Sequence, residues 1–122
     1  MTIDSIIFLG LQGLLGMFML GSGGTKLVGI DMQVENFDHF GYPQWFRILI
    51  GGIEVLGALY LMVAFITVPT FALAGSFLIT IILLGAILTH IRVGDTIKEI
   101  ALPTILLGVT ITVALYHAYK FI

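Results

Sequence analysis

Four long apolar stretches, cut apart by charges and prolines, decide what this chain can become. Each is long enough to cross a bilayer as a helix, which takes about 20 residues. The cuts place spans at about residues 5–27, 44–66, 70–92 and 99–119. The first is uncharged between Asp4 and Lys26, and the third is entered through Val68-Pro69-Thr70. The fourth is expected to carry Pro103 in its first turn, where a missing N–H is tolerated. Only helices satisfy these segments, because backbone groups in lipid must bond within the segment and four strands cannot close a barrel. The expected fold is all-α, a transmembrane four-helix bundle forming one domain over residues 1–122.

Composition agrees. The chain is 59% hydrophobic and 10% charged, with mean hydropathy +1.15. A soluble domain carries about a quarter charged residues, so this one cannot cover itself with polar surface. There are no cysteines. That removes disulfide relays, thiolate metal sites and iron–sulfur ligation. The net charge of −2 and the lack of a basic cluster argue against nucleic acid. Met1-Thr2-Ile3-Asp4 lacks the basic start of a signal peptide, so the first apolar run is expected to be a retained span.

An even number of spans puts both termini on one side. That side receives Asp4, an uncharged turn at 67–70 and Lys120. The other side collects Lys26, Asp31, Glu35, Asp38, His39, Arg47, His90, Arg92, Asp95, Lys98 and Glu99. Its excess of Lys and Arg places the termini outside the cytoplasm by the positive-inside rule, unless those cations are paired within the bundle. The connection from Val28 to Pro43 repeats Val34, Phe37 and Phe40 at helical spacing. It reads either as a short interfacial helix or lid between helices 1 and 2, ended by Gly41, or as an ordered loop without chemistry.

Glu54 stands alone near the middle of its span. A carboxylate at that depth costs roughly 2.5–3.5 kcal/mol on insertion scales, so it needs a partner and reads as functional by default. Lys26, Arg47 and His90 are the candidate partners. Arg47, Gly51, Glu54, Ala58 and Leu61 form one helix stripe, and Gln12, Gly16, Met19, Gly23 and Lys26 form a matching one. Small residues on both stripes allow close approach. The run Gly21-Ser22-Gly23-Gly24 predicts a close crossing or a local kink. His90 is assigned inward because Leu83 and Ala86 continue its face; Arg92 then snorkels or pairs with Asp95 or Glu99. His117, with Tyr116 and Tyr119, reads as an interface anchor.

The competing reading makes Glu54 half of an internal salt bridge that only fixes helix register. Haem is not expected, since His90 and His117 lie on opposite sides. A metal is not expected either: His39, His90 and Glu54 lack ligand spacing, and Glu54 lies roughly 10 Å deeper. Thr104, Gly108 and Thr112 form a small-residue stripe that can seal the bundle or meet a second protomer.

Gly23/Gly24-Thr25-Lys26-Leu27, Phe40-Gly41-Tyr42-Pro43, Gly51-Gly52-Ile53-Glu54-Val55-Leu56-Gly57-Ala58 and Gly85-Ala86 through His90-Ile91-Arg92-Val93-Gly94-Asp95 together resemble the DoxX-like family. The resemblance runs in order over nearly the whole chain, and the combination is more specific than any piece. It implies a four-helix membrane bundle with the lysine, glutamate and histidine/arginine segments as its signature. Members of the family include a subunit of a thiosulfate:quinone oxidoreductase and proteins tied to oxidative or electrophile stress. Relatives in animals resemble receptor-assembly chaperones.

Three functions follow as expectations. The first is a membrane subunit that binds a quinone or similar small lipophile in a redox or stress-response complex. Lys26, Arg47, Arg92 or His90 would donate to a carbonyl and Glu54 would take a proton. Phe37, Phe40, Tyr42 and Trp45 would stack on the ring, and a soluble partner protein would exchange electrons. At most this is the membrane part of a quinone-linked oxidoreductase. The second is a non-catalytic assembly or chaperone-like factor, with structural ion pairs. The third is a proton or small-solute path, for which Gln12, Ser76, Thr80, Thr110 and Thr112 offer thin polar steps. The expected location is a prokaryotic cytoplasmic membrane, with lipid around the bundle and a homo-oligomer as an option.

Overall fold

A computed structural model describes residues 2–121. Five helices follow one another: α1 (Ile3–Val28), α2 (Asp31–Phe40), α3 (Gln44–Val63), α4 (Thr70–Arg92) and α5 (Ile97–Phe121). Four of them, all but α2, are long and apolar enough to cross a membrane. The described chain contains no strand.

Local chemistry sets the boundaries. Thr2 caps α1 by accepting from the Ser5 N–H at 3.1 Å. Gly29, at φ 75°, ends α1 and returns its N–H to Thr25. The connection after it is a helix, α2. Gly41 stops α2 at φ 80°, and Tyr42 N–H closes on Phe37 O at 3.0 Å. Pro43 then opens α3. Helix α3 stops at Val63, three residues short of the expected 66, because residues 64–66 turn. At α5 the expectation fails at the start of the helix. The helix starts at Ile97 rather than 99, so Pro103 lies inside it and not in its first turn. The missing N–H there leaves one carbonyl of the preceding turn without its intrahelical partner.

Helices α1, α3, α4 and α5 pack as successive antiparallel neighbours, and α5 returns to α1. Two glycine pairs set the spacing. A Cβ on Gly23 would lie 2.7 Å from the Gly51 carbonyl oxygen, and one on Gly75 would lie 2.7 Å from that of Gly57. Backbone thus meets backbone where α1 crosses α3 and where α3 crosses α4. Around these crossings Leu15, Met19, Leu61, Ile79, Leu83 and Val113 make the core. The stripe Thr104, Gly108 and Thr112 takes no part in it. Gly108 has open space where a Cβ would stand, and both threonines bond back to carbonyls of α5. Leu14, Phe77, Leu88 and Ile105 are among the large apolar side chains left outside, as lipid contact requires.

The fourth seam differs from the other three. Helices α1 and α5 are the least packed neighbours. They touch at the terminal end, where Phe8 stacks on Tyr116 at 4.6 Å and Tyr116 Oη donates to Ser5. Toward the other end both helices, with α2, line a cavity.

Candidate functional site

Glu54 finds its partner on α1. Lys26 Nζ lies 3.0 Å from Oε1 and 3.2 Å from Oε2. Ser22, one turn before Lys26, accepts from Nζ at 2.8 Å and donates to Glu54 Oε2 at 3.0 Å. The carboxylate side chain is 4% exposed and the lysine 14%. The Gly23–Gly51 contact sits beside this group and brings it within reach. The sequence points to Lys26 and Glu54 but shows Ser22 only as a neighbour of the stripe. Its i−4 spacing from Lys26 is the available signal.

Arg47 is placed elsewhere. Its Nε donates to Gln44 at 2.7 Å, and its Nη1 donates to the Lys26 carbonyl. A cation there satisfies an orphan carbonyl at the negative end of the α1 dipole. Arg47 is therefore a cap for α1, not a partner for Glu54. Trp45 is also outside the cavity, 65% exposed on the outer face.

The lid is α2 and the turn after it. Phe37 is buried and meets Phe40 edge to face at 5.6 Å. Tyr42 shares a 2.8 Å hydrogen bond with Thr89 of α4, and Arg92 lies over its ring at 5.1 Å. Those contacts, from Thr89 first and then Arg92, lower the Tyr42 phenol below its ordinary range. Arg92 also donates to the Phe40 carbonyl at 2.5 Å. On the other flank Gln33 donates to Thr25 at 3.0 Å.

His90 pairs with Asp95, Nδ1 to Oδ2 at 2.6 Å, and His39 of the lid reaches the other oxygen at 2.8 Å. The sequence offers Asp95 as a partner for Arg92; it serves two histidines instead. Hydrogen bonds from His90 and then His39 hold its carboxyl below the ordinary carboxylate range.

A cavity of about 1280 Å³ joins these groups. Ser22, Lys26 and Glu54 line its inner part. Phe37, Phe40, Tyr42, His90, Arg92 and Asp95 line its mouth, and Met19, Ile82 and Leu106 are among its apolar walls. All five helices contribute to its lining. Lys26, Glu54 and His90 share the cavity, but His90 touches neither of the other two. Gly57 crosses Gly75, which puts Glu54 and His90 roughly 18 Å apart along the helix axes.

His117 is not an interface anchor. It is buried, and its Nε2 donates to Gln12 Oε1 at 2.5 Å, while Gln12 Nε2 donates to Leu61 O at 2.8 Å. That burial is not legible in the sequence because the two residues lie 105 positions apart. Among the described residues no cluster of histidine and carboxylate side chains is arranged to hold a metal ion.

The DoxX-like family pattern matches residues 10–113, from the core of α1 into the last turns of α5. The chain belongs to the DoxX-like family. A further relative is a protein from Bacillus subtilis (strain 168) titled uncharacterized protein YdgD. It is 37% identical over 76 residues, which are 62% of this chain and 66% of that relative. No solved structure matches. This DoxX-like chain is thus a multi-pass membrane protein, and its cavity lies inside the stretch the family shares.

Proposed function

We propose that this DoxX-like protein is a membrane subunit that holds a small ring-bearing lipophile, such as a quinone, in a redox or stress-response complex. One observation carries the reading: a cavity lined by all five helices, with largely apolar walls, also holds two separate polar groups. Lys26, Ser22 and Glu54 stand at the inner end and His90 at the mouth. The cavity between them has room for one ring. Phe37, Phe40 and Tyr42 cover the ring, and an apolar tail leaves toward the bilayer. Electrons would pass to or from a soluble partner protein.

Mass spectrometry of lipophiles co-purified in mild detergent tests this. Wild type is expected to retain a ring-bearing lipophile that folded Glu54→Gln loses. Bulk lipid alone in both would sink the reading.

A second reading has its own support. Lys26 Nζ already has three oxygens within 3.2 Å, so the ion group is complete without a ligand. On that account the pair fixes the register of α1 on α3 and the protein is an assembly factor. Partner yield would then follow folding and nothing else.

A further inference from the structure

We infer that Asp95 is a positioning residue that holds the His90 proton on Nδ1 and leaves Nε2 as a hydrogen-bond acceptor at the cavity mouth, so that the lipophile meets it with a hydroxyl, as a phenol, an alcohol or the quinol form of a quinone does. This rests on the lipophile reading above and narrows its ligand class.

The geometry is set by the main chain. Gly94 turns at φ 77°, and Asp95 N–H donates to His90 O at 2.9 Å, closing the end of α4 on itself. That loop aims the carboxylate at the ring of its own helix. Oδ2 is 2.6 Å from His90 Nδ1, and Oδ1 is 2.8 Å from His39 Nε2. An ionised carboxylate only accepts, so each facing nitrogen must carry its hydrogen. Asp95 is ionised at neutral pH, because those same bonds hold its carboxyl low. In neutral imidazole a proton on Nδ1 leaves a lone pair on Nε2.

The surroundings keep that lone pair open. Among the described residues, His90 Nε2 has no hydrogen-bond partner, and the side chain lines the cavity. Phe40 stands edge-on to the ring at 5.2 Å and 86°, which fixes its plane and offers no polar atom. Arg92 does not compete for Asp95; it is taken by the Phe40 carbonyl and the Tyr42 face. A carbonyl or ether oxygen placed at Nε2 would meet lone pair with lone pair. A hydroxyl donates to it.

The test uses full-length protein labelled with ¹⁵N-histidine in lipid nanodiscs, with His90 assigned by substitution. Ligand-free wild type is expected to show the neutral Nδ1–H form of His90; the Nε2–H form, an even mixture or the imidazolium, in which Nε2 donates, overturns the assignment. The binding probes are 4-butylphenol and 4-butylanisole, which differ in the donated hydrogen. The phenol is expected to bind about tenfold tighter, the effect of one hydrogen bond of about 1.4 kcal/mol, and to shift the Nε2 resonance. Asp95→Ala should move the proton to Nε2 and erase the phenol's advantage. Should that variant not fold, the wild-type tautomer and the probe pair still decide. Equal binding of the two probes, or no binding of either, overturns the hydroxyl assignment. The wider lipophile reading falls only if co-purification from wild type is empty as well.

Discussion

Gly23 and Gly51 meet with no side chain between them: a Cβ on the first would lie 2.7 Å from the carbonyl oxygen of the second, and the reverse distance is 2.8 Å. This contact brings α1 close enough for Lys26 to reach Glu54. Gly51→Ala must therefore push the helices apart. A cost of about 1–3 kcal/mol is expected, with loss of the ion group. Gly52→Ala, one residue on, meets open space and is expected to be neutral or mildly stabilising, since glycine in a helix costs about 1 kcal/mol relative to alanine. Unfolding of both variants in detergent checks this; equal effects would contradict the close crossing.

The ion group predicts an asymmetry between single and double substitutions. Lys26→Met leaves a carboxylate that is 4% exposed without its cation. A cost of about 3–5 kcal/mol is expected, as for other buried pairs broken from one side. Lys26→Met with Glu54→Leu should recover most of it, because replacing both partners removes the stranded charge. A double-substitution cycle measures the coupling. If the double variant is no more stable than Lys26→Met alone, Lys26 and Glu54 do not act as a pair.

The two stripes that carry this group are legible in the sequence because helix periodicity alone places Glu54, Gly51 and Arg47 on one face. All three are buried there. The lid helix is half legible. Phe37 and Gly41 show helical spacing and a stop, but a short mixture of polar and apolar residues does not decide between helix and coil. Arg47 lies on the face periodicity gives it, but a stripe does not name a partner. Its guanidinium turns toward the end of α1, where an orphan carbonyl attracts it more than a carboxylate two turns below. Trp45, close to Arg47 in number, points outward. What periodicity cannot supply is which helices part. Ser5, Phe8 and Gln12 close one end of the α1–α5 seam, and none of those residues announces its partner on α5.

The lid latch has a pH dependence with a definite sign. Asp95 is held below its ordinary value of 3.8 by His90 and then His39. A depressed carboxyl stabilises the folded contact above its ordinary pKa and loses that contribution as pH falls through the folded value, below 3.8. Helix α2 is thus expected to stay docked from neutral pH down to that range and to loosen below it. Spin labels on α2 and on the α4–α5 turn would report the separation. Asp95→Asn should give a flat profile over the same range. Loosening of wild type centred near neutral pH would show that another group controls the latch.

The closed end of the α1–α5 seam rests on a polar contact inside an apolar core. Gln12 gives its amide hydrogen to Leu61 O and takes one from His117 Nε2, so Gln12→Leu strands a donor on His117 and an acceptor on α3 at once. Each orphan costs about 1–3 kcal/mol when buried, and lipid offers no water to relieve it. Gln12→Leu is expected to destabilise by at least about 1 kcal/mol. It should also widen the distance between labels on the first turns of α1 and the last turns of α5. His117→Leu, which removes one donor and leaves the Gln12–Leu61 bond intact, should cost less and widen the seam less. If both variants keep the wild-type separation, the seam is held by Tyr116 against Phe8 and Ser5, and the gap at the other end does not depend on the Gln12–His117 hydrogen bond.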